Sequence, residues 1–409
     1  MWQPVGSAGK LAAASTLTSE LVTWTLHDLT EEQREIQALS RDFAQREIAP
    51  FAAELDHESR FDPSIVKKLG EVGFLGMLLP EEYEGLGLET STYLIALEEI
   101  AAVDASTAVL MSVHNSLPTQ MILRFGSTDQ RERFLRPMAR GESLGAFALS
   151  EPEAGSDAAA LTTQAVRDGD DWILSGTKSW VTSGSHADVI IAMARTDTPH
   201  ERKGARGIGA FIVTPDLDGF HVGKKEDKLG LRSSPTVQLN FDSMRVPAAN
   251  VLGDPHLGFV YAMKSLDAGR LGIAAQAIGI ARAALEASTA YAAERRQFDQ
   301  PIRDFQAIQF KLADMSTRIS AGRALLHLAA QAKDRGANVK QACSMAKLFA
   351  SETAMFCTNQ AVQIFGGYGY VKDYPVERYF RDAKVTEIYE GTSEIQRIVI
   401  ARELYAAHK

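Results

Sequence analysis

One glutamate has neighbours that suit acid–base chemistry. Glu390 stands between Tyr389 and Gly391 and is followed by Thr392-Ser393-Glu394-Ile395-Gln396. A carboxylate in apolar surroundings has its pKa raised by desolvation and can act as a general base near neutrality; in an open loop the same residue is only a solvated charge. Ser393 and Gln396 have capping-box spacing, which predicts a helix starting there with unpaired N–H groups that favour an electron-rich ligand. Two more polar clusters accompany this one. Residues 147–157 (FALSEPEAGSD) offer small side chains and hydroxyls that let a planar or phosphorylated ligand approach backbone N–H groups, although a turn joining two domains has the same character. Residues 363–370 (QIFGGYGY) could end a helix in left-handed glycine caps or admit a cofactor against bare backbone, and spacing does not separate the two.

Other chemistries lack their residues. The 9 histidines show no HExxH or comparable ligand spacing, so no metal is expected. Ser150 is not in a GxSxG elbow, and neither a Walker A sequence nor a dinucleotide fingerprint occurs. Cys343 and Cys357 cannot build a disulfide framework, which points to a reducing compartment. With 43 Lys and Arg against 52 Asp and Glu, the net charge of −9 argues against nucleic acid or an anionic membrane surface. No window approaches the roughly 20 apolar residues of a membrane span. Residues 1–24 match neither a signal peptide nor an Arg-rich transit peptide and read as an extension.

The elements that must position these clusters fall into three parts. The 409 residues suggest two or three domains. Thr30 with Gln33 and Ser127 with Gln130 are capping boxes. The first predicts a helix that stops near Pro50; Asp62-Pro63 starts another, and residues 93–103 a further one. An all-α domain over 28–145 follows from these, after an extension over 1–27. Residues 163–166, a turn at Asp168-Gly169-Asp170 and residues 172–174 make a hairpin, and 189–194, 208–213 and 237–241 are short strands. They predict an antiparallel, barrel-like β domain over 146–258. Residues 263–291, 305–334 and 338–365, a tight turn at 366–369 and a last helix from about Ser393 predict an antiparallel four-helix bundle over 259–409. The fold class is therefore α+β.

On this helix–sheet–helix plan, the three clusters in this order resemble the acyl-CoA dehydrogenase family. Residues 147–157 resemble its first signature; residues 363–382 resemble its second, with Gly366, Gly367, Gly369, Asp373, Arg378 and Asp382; and residues 389–394 resemble the catalytic loop of its short-chain-type members. The resemblance runs from about Asp28 to the C-terminus. It implies an FAD enzyme that converts an acyl-CoA to the trans-2-enoyl-CoA, Glu390 taking the α-proton while the β-hydrogen leaves as hydride to flavin N5. Hydrogen bonds from the backbone N–H of Glu390 and a flavin ribityl hydroxyl to the thioester carbonyl would stabilise the developing enolate.

By the same resemblance Phe147, Leu149, Ser150, Gly155 and Ser156, with Trp180, Val181 and Thr182, wall the flavin ring, and Thr392, Ser393 and Glu394 meet it near a helix N-terminus. Arg295 resembles an arginine that reaches the FAD pyrophosphate of a neighbouring subunit, with Gln306, Gln363, Ile364, Phe365, Gly366 and Gly367 in the same inter-subunit site; a helix-end charge pair with Arg296 is the alternative. Ser156, Asp267, Arg270 and Gly391 match positions that meet acyl-CoA, although Asp267 and Arg270 are spaced for an intrahelical ion pair. The implied partners are an acyl-CoA with a short or branched-short chain, an electron-transferring flavoprotein and three further copies in a homotetramer. The implied setting is fatty-acid β-oxidation or amino-acid catabolism in a bacterial cytoplasm, or in a mitochondrial matrix if the source is eukaryotic. An oxygen-using acyl-CoA oxidase and a non-catalytic acyl-CoA- or flavin-binding scaffold are the rival classes.

Overall fold

In the computed structural model, which describes residues 29–197 and 204–406, the first helix forms where its capping box places it. Thr30 Oγ1 accepts from the Gln33 N–H and Gln33 Oε1 accepts from the Thr30 N–H, both at 3.2 Å, so α1 runs Glu31–Phe43. The expected extension over 1–27 lies outside the described residues. The helix does not stop at Pro50: a π-helical segment, Ala44–Ile48, leads directly into α2 (Ala49–Glu58). Proline lacks an N–H and its ring clashes with the carbonyl four residues back, and the wider π turn relieves both demands. The run ends at Ser59, which is left-handed with φ 52°.

α3 (Ser64–Glu71) starts where Asp62 Oδ1 accepts from the Ser64 N–H at 3.0 Å. α4 (Thr90–Val103) and α5 (Ala105–Ser116) are buried along almost their whole length; Asp104 caps α5 by accepting from the Thr107 N–H at 2.8 Å. α6 (Pro118–Phe125) and α7 (Thr128–Ala139), the latter capped by Ser127 and Gln130 as expected, complete the first helical region.

The middle region is a curled seven-stranded sheet: β1 (Gly145–Ala148), β2 (Gln164–Asp168), β3 (Asp171–Thr182), β4 (Val189–Arg195), β5 (Ile208–Val213), β6 (Phe220–Lys225) and β7 (Thr236–Val246), in the order β1-β4-β2-β3-β7-β6 with β5 on β4. The β2–β3 hairpin turns through Gly169, at φ 62°, where a two-residue turn needs a left-handed residue. The sheet is mixed, which corrects the antiparallel expectation: β1 pairs parallel with β4, Gly145 opposite Val189 through Ala148 opposite Ala192. Sequence pattern missed this because β1, four residues of small and aromatic side chains, carries no alternation to mark it as a strand. β6 was missed for a similar reason, being largely exposed.

α8 (Gly258–Glu294), α9 (Gln306–Asp334) and α10 (Lys340–Phe365) are the long helices of the last region, followed by α11 (Val376–Lys384) and α12 (Ser393–Ala406). The arrangement is larger than the expected four-helix bundle. α11 intervenes, and α4 packs on α8 within one core, where Leu94, Leu97 and Ile100 join Ile278, Ala281 and Leu285. Buried ion pairs tie the two helical regions together: Arg282 Nη2 bonds Glu99 Oε2 at 2.8 Å and Arg323 Nη2 bonds Glu98 Oε1 at 2.6 Å. This fixes α4 beside the part of α8 that carries the site.

Candidate functional site

Glu390 sits in a turn between α11 and α12 whose backbone is held from two sides. It is left-handed at φ 52°, a conformation that costs a non-glycine residue roughly 1–2 kcal/mol, and Gly391 follows at φ 90°. Gln396 of α12 donates Nε2 to the Glu390 carbonyl at 3.2 Å and to the Gly391 carbonyl at 2.8 Å. Lys347 of α10, fully buried, donates Nζ to the same Gly391 carbonyl at 2.8 Å. The predicted capping box does not form. Thr392 Oγ1, one residue earlier, accepts from the Ile395 N–H at 3.3 Å and caps α12, because Gln396 is engaged with the turn; Ser393 is buried with an unpartnered hydroxyl.

The carboxylate points onto α8. Both of its oxygens are buried and accept no hydrogen bond, and a Cβ at Gly269 would stand 2.2 Å from Oε2, so only glycine there leaves the space. Burial pushes Glu390 up to about 7, against the positive charges of Lys347 and Arg270. Arg270 Nη1 bonds Asp267 Oδ1 at 2.7 Å, so the predicted pair is an intrahelical ion pair at the edge of this pocket. Tyr93 of α4 is close enough for the Glu390 charge to raise its phenol further, beyond the effect of burial. A half-ionised, unsolvated carboxylate at neutral pH is a group able to take a proton from a weak carbon acid.

Along α8 the same face carries Gly269, Gly272 and Gln276. A Cβ at Gly272 would meet Ser112 Oγ of α5 at 2.3 Å, so the helices touch there. Gln276 donates Nε2 to the Ala105 carbonyl at 2.8 Å and accepts from the Tyr389 hydroxyl. At 1.5 Å rise per residue, this bridge lies about 10 Å along the axis from Gly269. Sequence reading missed Gly269, Gln276 and Lys347; the GxxG spacing of Gly269 and Gly272 was the available signal for the first.

A second group of predicted residues gathers on the sheet. Ser179 N–H donates to the Ser150 carbonyl at 2.9 Å, which sets Phe147, Leu149 and Ser150 beside Trp180, Val181 and Thr182. A fully buried ion pair supports this wall: Lys178 Nζ reaches Glu151 Oε1 at 2.8 Å and the Leu149 carbonyl at 3.1 Å. Trp180 is left-handed at φ 61°, in a register shift of β3, and the residue is 61% exposed despite its size. Gly155 and Ser156 are exposed in the loop after β1. The exposed indole is the flat face of this wall, and the hydroxyls of Ser179 and Ser183 are buried without a partner.

A third group lies elsewhere. Arg295 ends α8 with its guanidinium 5.5 Å from the centre of the Tyr368 ring, and Tyr291 stacks on Phe365 at 4.0 Å. Gln363, Gly366 and Gly367 are exposed there, Ile364 and Phe365 are buried, and Gln306 is exposed at the start of α9. Arg296 faces solvent and bonds the Asp299 carbonyl at 2.7 Å. From Gly269 to Arg295 the helix rises about 39 Å, so these residues are not part of the pocket that holds Glu390. Among the described residues no group of three or more His, Cys, Asp or Glu side chains is placed to hold a metal, and no helix is long and apolar enough to cross a membrane.

Comparison with known proteins finds relatives over most of the chain. Family models for the acyl-CoA dehydrogenase N-terminal, middle and C-terminal domains match residues 30–142, 146–244 and 256–405. The mitochondrial short-chain specific acyl-CoA dehydrogenase of Bos taurus is 48% identical over 382 residues, 93% of this chain and 92% of that protein. The solved butyryl-CoA dehydrogenase of Megasphaera elsdenii superposes with a TM-score of 0.90 at 43% identity, covering 93% of this chain and 100% of that one. A chain from structural work on the electron transferring flavoprotein of Acidaminococcus fermentans and flavin-based electron bifurcation gives a TM-score of 0.91 at 46% identity, covering 93% and 99%.

Proposed function

Because the chain belongs to the acyl-CoA dehydrogenase family of flavin-dependent enzymes, we propose that it dehydrogenates a short or branched-short acyl-CoA to the trans-2-enoyl-CoA, with Glu390 as the base. The observation that carries this reading is the Glu390 carboxylate itself: buried, without a hydrogen-bond partner and pushed up to about 7. A solvated glutamate is too weak a base for the α-proton of a thioester; desolvation raises its proton affinity toward that task.

The left-handed turn locked by Gln396 and Lys347 keeps the base in one place, and the peptide N–H of Glu390 belongs to the same rigid turn. That N–H is the donor we assign to the thioester carbonyl, where enolate charge develops. Gly269 gives the carboxylate its seat against α8. Gln276, bonded to the Tyr389 hydroxyl and the Ala105 carbonyl about 10 Å further along α8, is the residue we assign to limiting the acyl chain. FAD, held along Phe147, Leu149, Ser150, Trp180 and Thr182 and near the start of α12, supplies the hydride acceptor. Arg295, Gln306, Gln363, Gly366 and Gly367, far from Glu390 within one chain, are assigned to the FAD of a second copy, so the working unit is an oligomer, a homotetramer by the family pattern. An electron-transferring flavoprotein is the proposed electron acceptor.

Anaerobic mixing of the flavin-loaded protein with a panel of acyl-CoAs tests the whole reading. Butyryl- and isobutyryl-CoA should bleach the flavin faster than octanoyl-CoA, and air should restore its colour slowly relative to an artificial acceptor. No bleaching by any acyl-CoA, or rapid peroxide formation in air, would overturn it.

A further inference from the structure

The carboxylate of Glu390 receives no hydrogen bond, so what governs its charge must act through space. The groups around it come from four helices and the turn itself. α8 presents Arg270, ion-paired with Asp267 at 2.7 Å. α4 presents the Tyr93 phenol, and the turn itself carries Tyr389, with Glu387 and Glu394 acting on Lys347. Glu394 at the start of α12 is exposed. α10 presents Lys347, fully buried, whose Nζ bonds the Gly391 carbonyl at 2.8 Å. Among the described residues no carboxylate lies within 4.0 Å of this ammonium. A buried cation whose near partner is a neutral carbonyl is expensive to keep unless a longer-range charge compensates it.

We propose that Lys347 is a positioning residue for Glu390: it holds the left-handed turn through the Gly391 carbonyl and supplies positive charge that helps the carboxylate ionise. The two roles are separable in principle, since the hydrogen bond orients the turn and the charge acts on the base. Burial lowers Lys347 to about 8 and Glu390 opposes that drop, as Lys347 opposes the rise of Glu390. Arg270 acts on Glu390 in the same direction, after Lys347 in size, with Asp267 paired to it at 2.7 Å.

This inference rests on the reading of Glu390 as the base, and the variants tell the two apart. Lys347→Gln keeps a donor of similar length and removes the charge; Lys347→Met removes both. The readouts are the pH profile of anaerobic flavin reduction by butyryl-CoA and an infrared pH titration of the carboxyl band, with Glu390→Gln as the subtraction reference. In Lys347→Gln the midpoint should rise by about one pH unit, slowing reduction at pH 7 about fivefold, and alkaline pH should restore the rate. Lys347→Met should show the same rise plus a rate loss that alkali does not restore, because the turn has lost its donor. If the Met variant does not fold, the Gln variant decides. An unmoved midpoint in Lys347→Gln, or a rate loss equal at every pH, overturns the charge role. Normal turnover by Glu390→Gln would instead overturn the base assignment beneath it.

Discussion

In Glu390→Gln the buried carboxyl becomes a neutral amide of nearly the same shape, which should remove activity and raise stability together above neutral pH. The carboxyl goes from its ordinary 4.5 to about 7 on folding. Between those values the folded chain binds more protons than the unfolded chain, so stability falls as pH rises and the loss is complete above the folded value. At 1.36 kcal/mol per unit of pKa the penalty is about 3 kcal/mol for the ionised, unpartnered carboxylate. The amide never ionises and escapes it. Asp382, also buried and raised to about 7, is present in both proteins and cancels in the comparison. Urea unfolding across pH 4.5 to about 8.5 should give curves that meet at the acid end and separate by about 3 kcal/mol at the alkaline end, the variant being the more stable. The variant should remain yellow while butyryl-CoA no longer bleaches it. Parallel stability curves would show that the carboxylate is solvated or paired in the folded state, and the reasoning from burial would fall.

Gly269→Ala places a methyl 2.2 Å from Glu390 Oε2, so the carboxylate must swing away; kcat/KM should drop about 100-fold with flavin content unchanged. Gln276→Ala breaks the bridge to Tyr389 and Ala105, and the ratio of octanoyl-CoA to butyryl-CoA turnover should rise at least several-fold in steady-state assays. Arg295→Gln, about 39 Å along α8 from Gly269, should leave the pH midpoint of the base in place while flavin is lost on gel filtration; retention of full flavin would remove Arg295 from the cofactor site.

Local rules carried much of this fold into the sequence. The boxes at Thr30 and Ser127 formed as spaced, since a cap needs only residues three apart, and the β2–β3 hairpin followed its Gly169 turn for the same reason. Where a second element competes for a side chain, local rules failed: Gln396 abandons Ser393 for the Glu390 and Gly391 carbonyls, and Pro50 passes through a helix because a π turn absorbs it. The motif around Glu390 marked the residue to watch, and the family resemblance supplied a role to test. The sequence by itself could not distinguish a solvated glutamate from a buried one, nor reveal Gly269, Gln276 or Lys347, which lie between 43 and 121 residues away along the chain. Those relations are tertiary. Desolvation and Coulomb attraction depend on what packs within a few ångströms, and only the crossing of α4, α8, α10 and the α12 turn brings these groups that close.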